Sequence, residues 1–376
     1  MKRILITSTE VLMLHFLVPH VKNLLKNGYE VEVACSEVLG RFGELKEVLG
    51  KFVKIHKVDL KRSPTRIQNL RGLKELKRII KEGHYDLVWT NEPVMGVMTR
   101  LAAKHLRKKG MHVLYMTHGF HFYKGGDWYN WLLFYPIERL LSRVTDTLVT
   151  INQEDYALAR RKMHATRIKY IHGIGLDTEY FENRKVDVAV MRGSLGISED
   201  CMVLLSVGEL QRRKNHEVIL RAMSKMDYSK IHYIICGEGK LHKYLSELSE
   251  KLGIAEHVHF LGYRRDISEL CKCADIFVHP SRREGLGIAA LEGMASGLPI
   301  VASKINGILD YTIDGETGYN CSPVDSDGFC KALNTLIADK SLRERMGKCA
   351  GEHTKAYDIG IAKKEVLQII EESVGK

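Results

Sequence analysis

The stretch ADIFVHPSRREGLGIAALEGMASGLPIVAS, residues 274–303, decides the fold. It opens on an apolar, β-branched run (DIFVHPS) and breaks at a loop holding Gly285 and Gly287. An alanine-rich run follows, then a second apolar run, LPIVAS. Gly297 just past the alanine-rich run, with Pro299 beyond it, is a helix stop signal. Strand, helix and strand in this order form a βαβ unit, and runs apolar on both faces belong to parallel sheets.

Working outward, the pattern repeats. Strand candidates in the first half are RILIT, YEVEVAC, DLVWT, HVLYMTHG and DTLVTIN; in the second half they are VLLSVGEL, HYIICGEG, VHFLG, DIFVHPS and LPIVAS. The alternation stops near Gly173 and resumes near Val203, and the polar stretch LDTEYFENRKVDVAVMRGSLGISEDCM between them reads as a linker. A chain of 376 residues is too long for one ordinary core. The expectation is an α/β protein of two doubly wound domains facing a cleft: 1–180, 181–356, and a helix at 357–376 packing back on the first domain. Ligands of such sheets sit beyond the carboxyl ends of the strands, so the chemistry is sought in the loops that follow them.

Composition narrows the classes. Hydrophobic content of 45% with 27% charged residues is globular, not disordered or fibrous. The net charge of +11 points to anionic partners. The opening MKRILITSTEVLMLHFLVPH has the look of a leader, but Glu10, His15 and His20 interrupt it and KRILIT reads as a strand. No apolar run approaches the ~18 residues of a spanning helix. A cytoplasmic protein is expected. The eight cysteines are scattered, without metal-ligand spacing, and read as reduced small hydrophobes.

Several loops carry candidate ligand contacts. Arg212, Arg213 and Lys214 follow VLLSVGEL and enter a helix pattern, where cations and backbone N–H groups suit a diphosphate. Gly237 and Gly239 follow HYIICG and permit close backbone approach. Tyr263, Arg264 and Arg265 follow VHFLG. Each of these alone is equally a solvated loop or a plain turn. The stretch around Gly285 is stronger. Its glycines flank a helix N-terminus whose N–H groups invite phosphate, Glu284 stands just ahead, and Glu292 lies among Ala289, Ala290, Leu291, Met294 and Ala295. A carboxylate there is costly unless hydroxyl donors reach it, and two vicinal ribose hydroxyls meet that need.

The set SVGELQRRKN, CGEG, HFLGYRRD, REGLGIAALEGMASGLPIV and GETGY resembles the family 4 retaining glycosyltransferases of the GT-B fold, over essentially the whole chain. The resemblance implies that Glu284 contacts sugar hydroxyls of a UDP-sugar donor and that Glu292 binds the ribose. Backbone around Gly285, Leu286, Gly287 and Ile288 would hold the diphosphate, and Lys214 would neutralise it. It singles out His118 among His112, His118 and His121 as the histidine that reaches the donor sugar, and it brings Glu10 and Val11 near donor and acceptor. Where many members carry an arginine, Glu209 stands here; a carboxylate cannot neutralise phosphate, which leaves Arg212, Arg213 or Arg264 for the second positive charge. By the same resemblance the leaving phosphate itself deprotonates the acceptor, so no enzyme nucleophile is required. The implied acceptor is a lipid-linked or soluble glycan, foremost a polyprenyl-diphosphate-linked sugar in bacterial surface polysaccharide synthesis. A nucleotide-sugar 2-epimerase and a non-catalytic nucleotide-sugar-binding module are the alternatives.

Two further segments bear on partners. In LKRSPTRIQNLRGLKELKRIIKEGHYD, Ile67, Leu70, Leu73 and Ile80 recur at helical spacing. Arg71, Lys74, Lys77 and Arg78 supply the charge, so the helix reads either as an anionic-membrane surface on the inner face of the cell membrane or as an ordinary surface helix. Tyr123, Trp128, Trp131 and Phe134 read as core or interdomain packing, with a lipid-facing role as the alternative. Asp325 and Asp327 form the one Asp-x-Asp, which reads as a helix N-cap, and no metal or other cofactor is expected. No nucleic-acid motif accompanies the positive charge.

Overall fold

The computed structural model describes residues 1–37, 42–50, 52–63 and 66–375. The chain divides into two units, Met1–Gly175 with Ile359–Lys376, and Leu176–Asp358.

In the first unit the described residues form a parallel sheet of β1 (Arg3–Ser8), β2 (Glu30–Cys35), β3 (Lys54–Lys57), β4 (Leu87–Asn91), β5 (His112–Met116), β6 (Thr147–Thr150) and β7 (Arg167–Tyr170). Their spatial order is 3-2-1-4-5-6-7. The connecting helices are α1 (Val11–Lys26), α2 (Phe42–Leu49), α3 (Gln68–Gly83), α4 (Pro93–Arg107), α5 (Trp128–Ser142) and α6 (Gln153–Lys162). β1 runs on to β2 and β3 in one direction, while β4 returns to the other side of β1. Right-handed crossovers therefore put α1 and α2 on one face and α3 to α6 on the other. The topological switch lies between β1 and β4. The central strands are buried throughout, with Ile4, Leu5, Val88, Trp89 and Val113 essentially without exposure. β3 and β7 at the edges are half-exposed.

The second unit begins with the segment read as a linker. It is folded: α7 (Thr178–Glu182) and α8 (Val188–Ser194) are short helices capped by the Asp177 and Asp187 carboxylates. The polarity that suggested a linker is that of N-caps and exposed helix faces. The sheet comprises β8 (Met202–Val207), β9 (Ile231–Cys236), β10 (Val258–Gly262), β11 (Ile276–His279), β12 (Ile300–Ser303) and β13 (Gly318–Cys321), in the order 10-9-8-11-12-13. Helices α9 (His216–Met223), α10 (His242–Lys251), α11 (Ile267–Cys273), α12 (Ile288–Ala295), α13 (Ser326–Ala338) and α14 (Lys340–Thr354) cover it. One continuous core joins Leu204, Ile235, Val278 and Val301 of the sheet to Val218, Ile219, Leu333 and Leu336. Full burial of each such side chain contributes about 1.5–3 kcal/mol. The switch here lies between β8 and β11. The last helix, α15 (Ile359–Val374), belongs to the first unit, where it packs on α1.

Candidate functional site

In the second unit the loops after β8 and β11 meet at the switch point. Asn215 joins them. It takes a left-handed conformation at φ 59°, which asparagine tolerates. Its amide nitrogen donates to the carbonyls of Pro280 at 2.9 Å and Pro323 at 2.8 Å. The Arg282 amide donates to the Arg213 carbonyl at 2.7 Å. Asn215 thus fixes the loop that carries Lys214, a role the sequence reading missed.

Glu284 is the centre of the cluster. It is 7% exposed and accepts from Lys214 Nζ at 2.6 Å, Ser281 Oγ at 2.8 Å and Arg213 Nη1 at 3.1 Å, with His279 Nε2 at 3.4 Å. Burial alone would push its carboxyl up, but Lys214, His279 and Arg213 outweigh burial and hold it well below the usual carboxylate range. It is ionised at any physiological pH. Lys214 also acts on Glu292, which lies a helix turn inside α12. There burial dominates and pushes the carboxyl up to about 7. Among the described residues the Glu292 carboxylate has no hydrogen-bond partner.

The backbone between the two glutamates is shaped by packing. Gly287 caps α12 at φ 83°, and a side chain there would meet Ile308, Tyr311 and His279. The Tyr311 hydroxyl donates to the Leu286 carbonyl at 2.7 Å and approaches that of Gly287 at 3.3 Å. Carbonyls of Leu286 and Gly287 are thereby turned inward. The first N–H groups of α12, starting at Ile288 and just beyond Gly285, lie at the end where a helix favours an anion.

The remaining predicted donor contacts divide. Arg213 joins Lys214 on Glu284, so of the three candidates it is the cation that stands in the cluster. Arg264 is paired with Asp266. Arg212 is exposed and lines a separate cavity with Gln211, Tyr244 and Arg282. Glu209 is exposed and accepts from the Gln211 side chain at 2.7 Å. Gly237 is explained by its neighbours: an added Cβ would lie 2.1 Å from the Gly208 carbonyl oxygen. Its amide donates to the Gly262 carbonyl at 2.7 Å, so the loops after β8, β9 and β10 are zipped together.

In the first unit the switch point gathers a second polar set. His118 Nε2 lies 3.1 Å from Asn91 Oδ1, and Asn91 in turn donates to the Thr7 carbonyl at 3.3 Å. That network assigns the proton to Nε2 and leaves Nδ1 an acceptor. Burial lowers the ring to about 4, so it is neutral. Glu92, missed by the sequence reading, sits at φ 63° and ψ 155°, a region otherwise left to glycine. Its Oε2 accepts from Ser8 Oγ and the Thr9 amide at 2.6 Å each, and from the Glu10 amide at 3.2 Å. Burial pushes this carboxyl up to about 7 against those bonds. Glu10 pairs with Arg62. The signal in the sequence was a glutamate directly before Pro93 at a helix start.

The basic stretch forms α3, buried through Gly72, Leu76, Ile79 and Ile80. Arg71, Lys74, Lys77 and Arg78 are exposed, as are Ile67 and Leu70 in and before its first turn. Of the aromatic segment, Trp131 and Phe134 pack on the cluster around Phe122, but Trp128 is exposed. Asp325 caps α13, accepting from the Asp327 and Gly328 amides. Among the described residues no three His, Cys, Asp or Glu side chains converge as metal ligands, and no helix is long and apolar enough to cross a membrane.

Two parallel doubly wound units, one ending on this lysine–arginine–glutamate cluster, define a GT-B glycosyltransferase. The match extends along the chain. Residues 18–180 match the family model described as Glycosyltransferase Family 4, and residues 187–353 match that described as Glycosyl transferases group 1. A Bacillus subtilis (strain 168) protein named as a glycosyltransferase, EpsD, is 37% identical over 89% of this chain and 86% of its own length. The Escherichia coli UDP-Gal:alpha-D-GlcNAc-diphosphoundecaprenol alpha-1,3-galactosyltransferase is 26% identical over 88% of this chain and 86% of its own. The Anabaena HepE structure with UDP and glucose superposes at TM-score 0.82 with 20% identity, covering 99% of this chain and 100% of that one. The chain belongs to the family 4 glycosyltransferases.

Proposed function

We propose that the protein transfers a hexosyl or N-acetylhexosaminyl group, with retention, from a UDP-sugar to a lipid-linked glycan acceptor. The reaction serves bacterial surface polysaccharide synthesis on the inner face of the cell membrane. The observation that carries the donor reading is the Lys214–Glu284–Arg213 cluster beside the N-terminus of α12, with the Glu292 carboxyl lacking a hydrogen-bond partner among the described residues. In this reading Glu292 takes the ribose hydroxyls, the α12 backbone and Lys214 take the diphosphate, and Glu284 takes sugar hydroxyls. Arg213 supplies the second positive charge that Glu209 does not. His118 keeps the role the family resemblance gives it. Two relatives support the nucleotide and the acceptor: HepE was solved with UDP, and the E. coli relative is named for a diphosphoundecaprenol acceptor. The exposed cations of α3 supply attraction to an anionic leaflet, and no metal ion takes part.

The test is a thermal-stabilisation screen of UDP- and GDP-sugars, followed by product analysis with and without an undecaprenyl-diphosphate-linked sugar. Stabilisation by a UDP-sugar and transfer with retained anomeric configuration are expected. Turnover of the donor to a new free nucleotide-sugar without acceptor would instead mark an epimerase.

A further inference from the structure

The turn that brings Arg213 and Lys214 to Glu284 sends its preceding side chains elsewhere. Gln211 and Arg212 are exposed and line a cavity of about 480 Å³ in the second unit. Leu241 and Leu245, at the start of α10, give it an apolar floor, and Leu245 is buried. Tyr244 stands beside them, 41% exposed. Arg282, from the loop after β11, is exposed and completes the positive side. Glu284 and Glu292 are not among the lining residues, so this cavity is separate from the donor cluster.

Charge and shape select the occupant. Arg212 makes no side-chain hydrogen bond or ion pair among the described residues. Arg282 donates from Nε to Asn215 Oδ1 at 3.0 Å, a neutral acceptor that leaves its charge uncompensated. The one carboxylate in the lining, Glu217, is paired with Arg221 at 2.9 Å. Asn215 gives its oxygen to Arg282 and not to its own helix, and Leu241 has none to give. α9 and α10 therefore both begin at the cavity without a side-chain cap, which adds to the positive potential of the two guanidiniums. Guanidinium pairs of this kind favour phosphate oxygens. The volume lies within the range of small-molecule sites, about 300–1,000 Å³, and exceeds what a bare phosphate fills. An apolar floor with a tyrosine beside it suits the C–H face of a sugar ring, while Gln211 and Glu217 offer acceptors to hydroxyl groups.

We propose that this cavity is a second anion site, distinct from the donor cluster, and that it takes a sugar phosphate. The phosphate lies on Arg212 and Arg282, the ring over Leu241, Leu245 and Tyr244, and the hydroxyls toward Gln211 and Glu217. The probes are glucose 1-phosphate and N-acetylglucosamine 1-phosphate, titrated calorimetrically into the full chain saturated with UDP, which occupies the donor site. At least one of them binds, and inorganic phosphate binds about tenfold more weakly for want of the sugar contacts. Arg212→Ser combined with Tyr244→Ala should weaken the sugar phosphate about tenfold or more. Both side chains are exposed, and UDP should raise the melting temperature of this variant as it does that of the wild type. Failure of UDP-saturated wild type to bind either sugar phosphate overturns the proposal. So does binding that the double variant retains unchanged. Inorganic phosphate bound as tightly as the sugar phosphates overturns the sugar assignment. Absence of UDP stabilisation in the wild type overturns the transferase reading instead, and the comparison of wild type with the double variant still decides this site.

Discussion

Lys214 Nζ lies 2.6 Å from Glu284 Oε1, and both side chains are almost buried. The cation proposed to meet a diphosphate is paired with the carboxylate proposed to meet the sugar. Ser281 shares the same carboxylate oxygen and Arg213 takes the other, so Lys214 is one of several donors to Glu284.

Lys214→Met takes one cation from buried Glu284 while Arg213 and Ser281 still donate to it, so the variant should be destabilised by about 1–3 kcal/mol. Lys214→Met with Glu284→Gln should recover most of that loss in a denaturant titration but not transferase activity. If the double variant is as active as wild type, the pair is structural only.

Glu292 has no partner within the described chain, and burial raises its carboxyl to about 7. At pH 7 about half the molecules then carry the proton, and hydroxyl donors favour the ionised form. UDP binding should release about half a proton at that pH, read by calorimetry in Tris and MOPS buffers. Glu292→Gln should abolish the release, and Glu292→Ala should weaken UDP by about 1–3 kcal/mol. A proton count that Glu292→Gln leaves unchanged removes this residue from the ribose site.

Gly237→Ala tests packing against ligand contact. The new methyl meets the Gly208 carbonyl in a left-handed conformation at φ 149°, which should cost about 1–3 kcal/mol. The melting temperature should fall without ligand present. An unchanged melting temperature with weakened donor binding would make Gly237 a direct contact.

What was legible in the sequence follows from how strongly burial constrains each element. Central strands such as Leu87–Asn91 and Ile276–His279 are buried on both faces and announce themselves as apolar runs. The edge strands Lys54–Lys57, Arg167–Tyr170 and Gly318–Cys321 do not, being four residues long and partly exposed. Glu284 and Glu292 stood out in the sequence because one precedes a glycine-flanked helix start and the other interrupts the apolar run of α12. Asn215 and Glu92 did not, since each acts through a backbone conformation that no periodicity reports. Of the α5 aromatics read as packing, Trp131 and Phe134 do pack on the Phe122 cluster, while Trp128 in the first turn is exposed, a difference within one helix that residue type alone does not report.

Transfer should survive EDTA. The charges assigned to the diphosphate are Lys214, Arg213 and the α12 N-terminus, and Asp325 and Asp327 are engaged as a helix cap and with Lys225. Loss of activity restored by Mg²⁺ or Mn²⁺ would overturn metal independence.

Glu92 gives the stability a pH dependence of definite sign. In the folded chain its carboxyl is pushed from 4.5 up to about 7, chiefly by burial and further by Glu10. In the unfolded chain it ionises near 4.5, so between these values the native state holds the proton that the unfolded state has lost. Stability is then fully present below about 4.5 and falls as pH rises toward 7, by at most about 3 kcal/mol from this group. Glu292 adds a decline over the same window, and UDP should remove the part due to Glu292 by favouring its ionised form. Glu92→Gln keeps an oxygen to accept from Ser8 and the Thr9 amide but cannot ionise. It should flatten the Glu92 share of the slope in denaturant titrations from pH 5 to 8, while UDP affinity stays unchanged. If Glu92→Gln leaves the slope as it was, burial does not raise the Glu92 carboxyl in the folded chain.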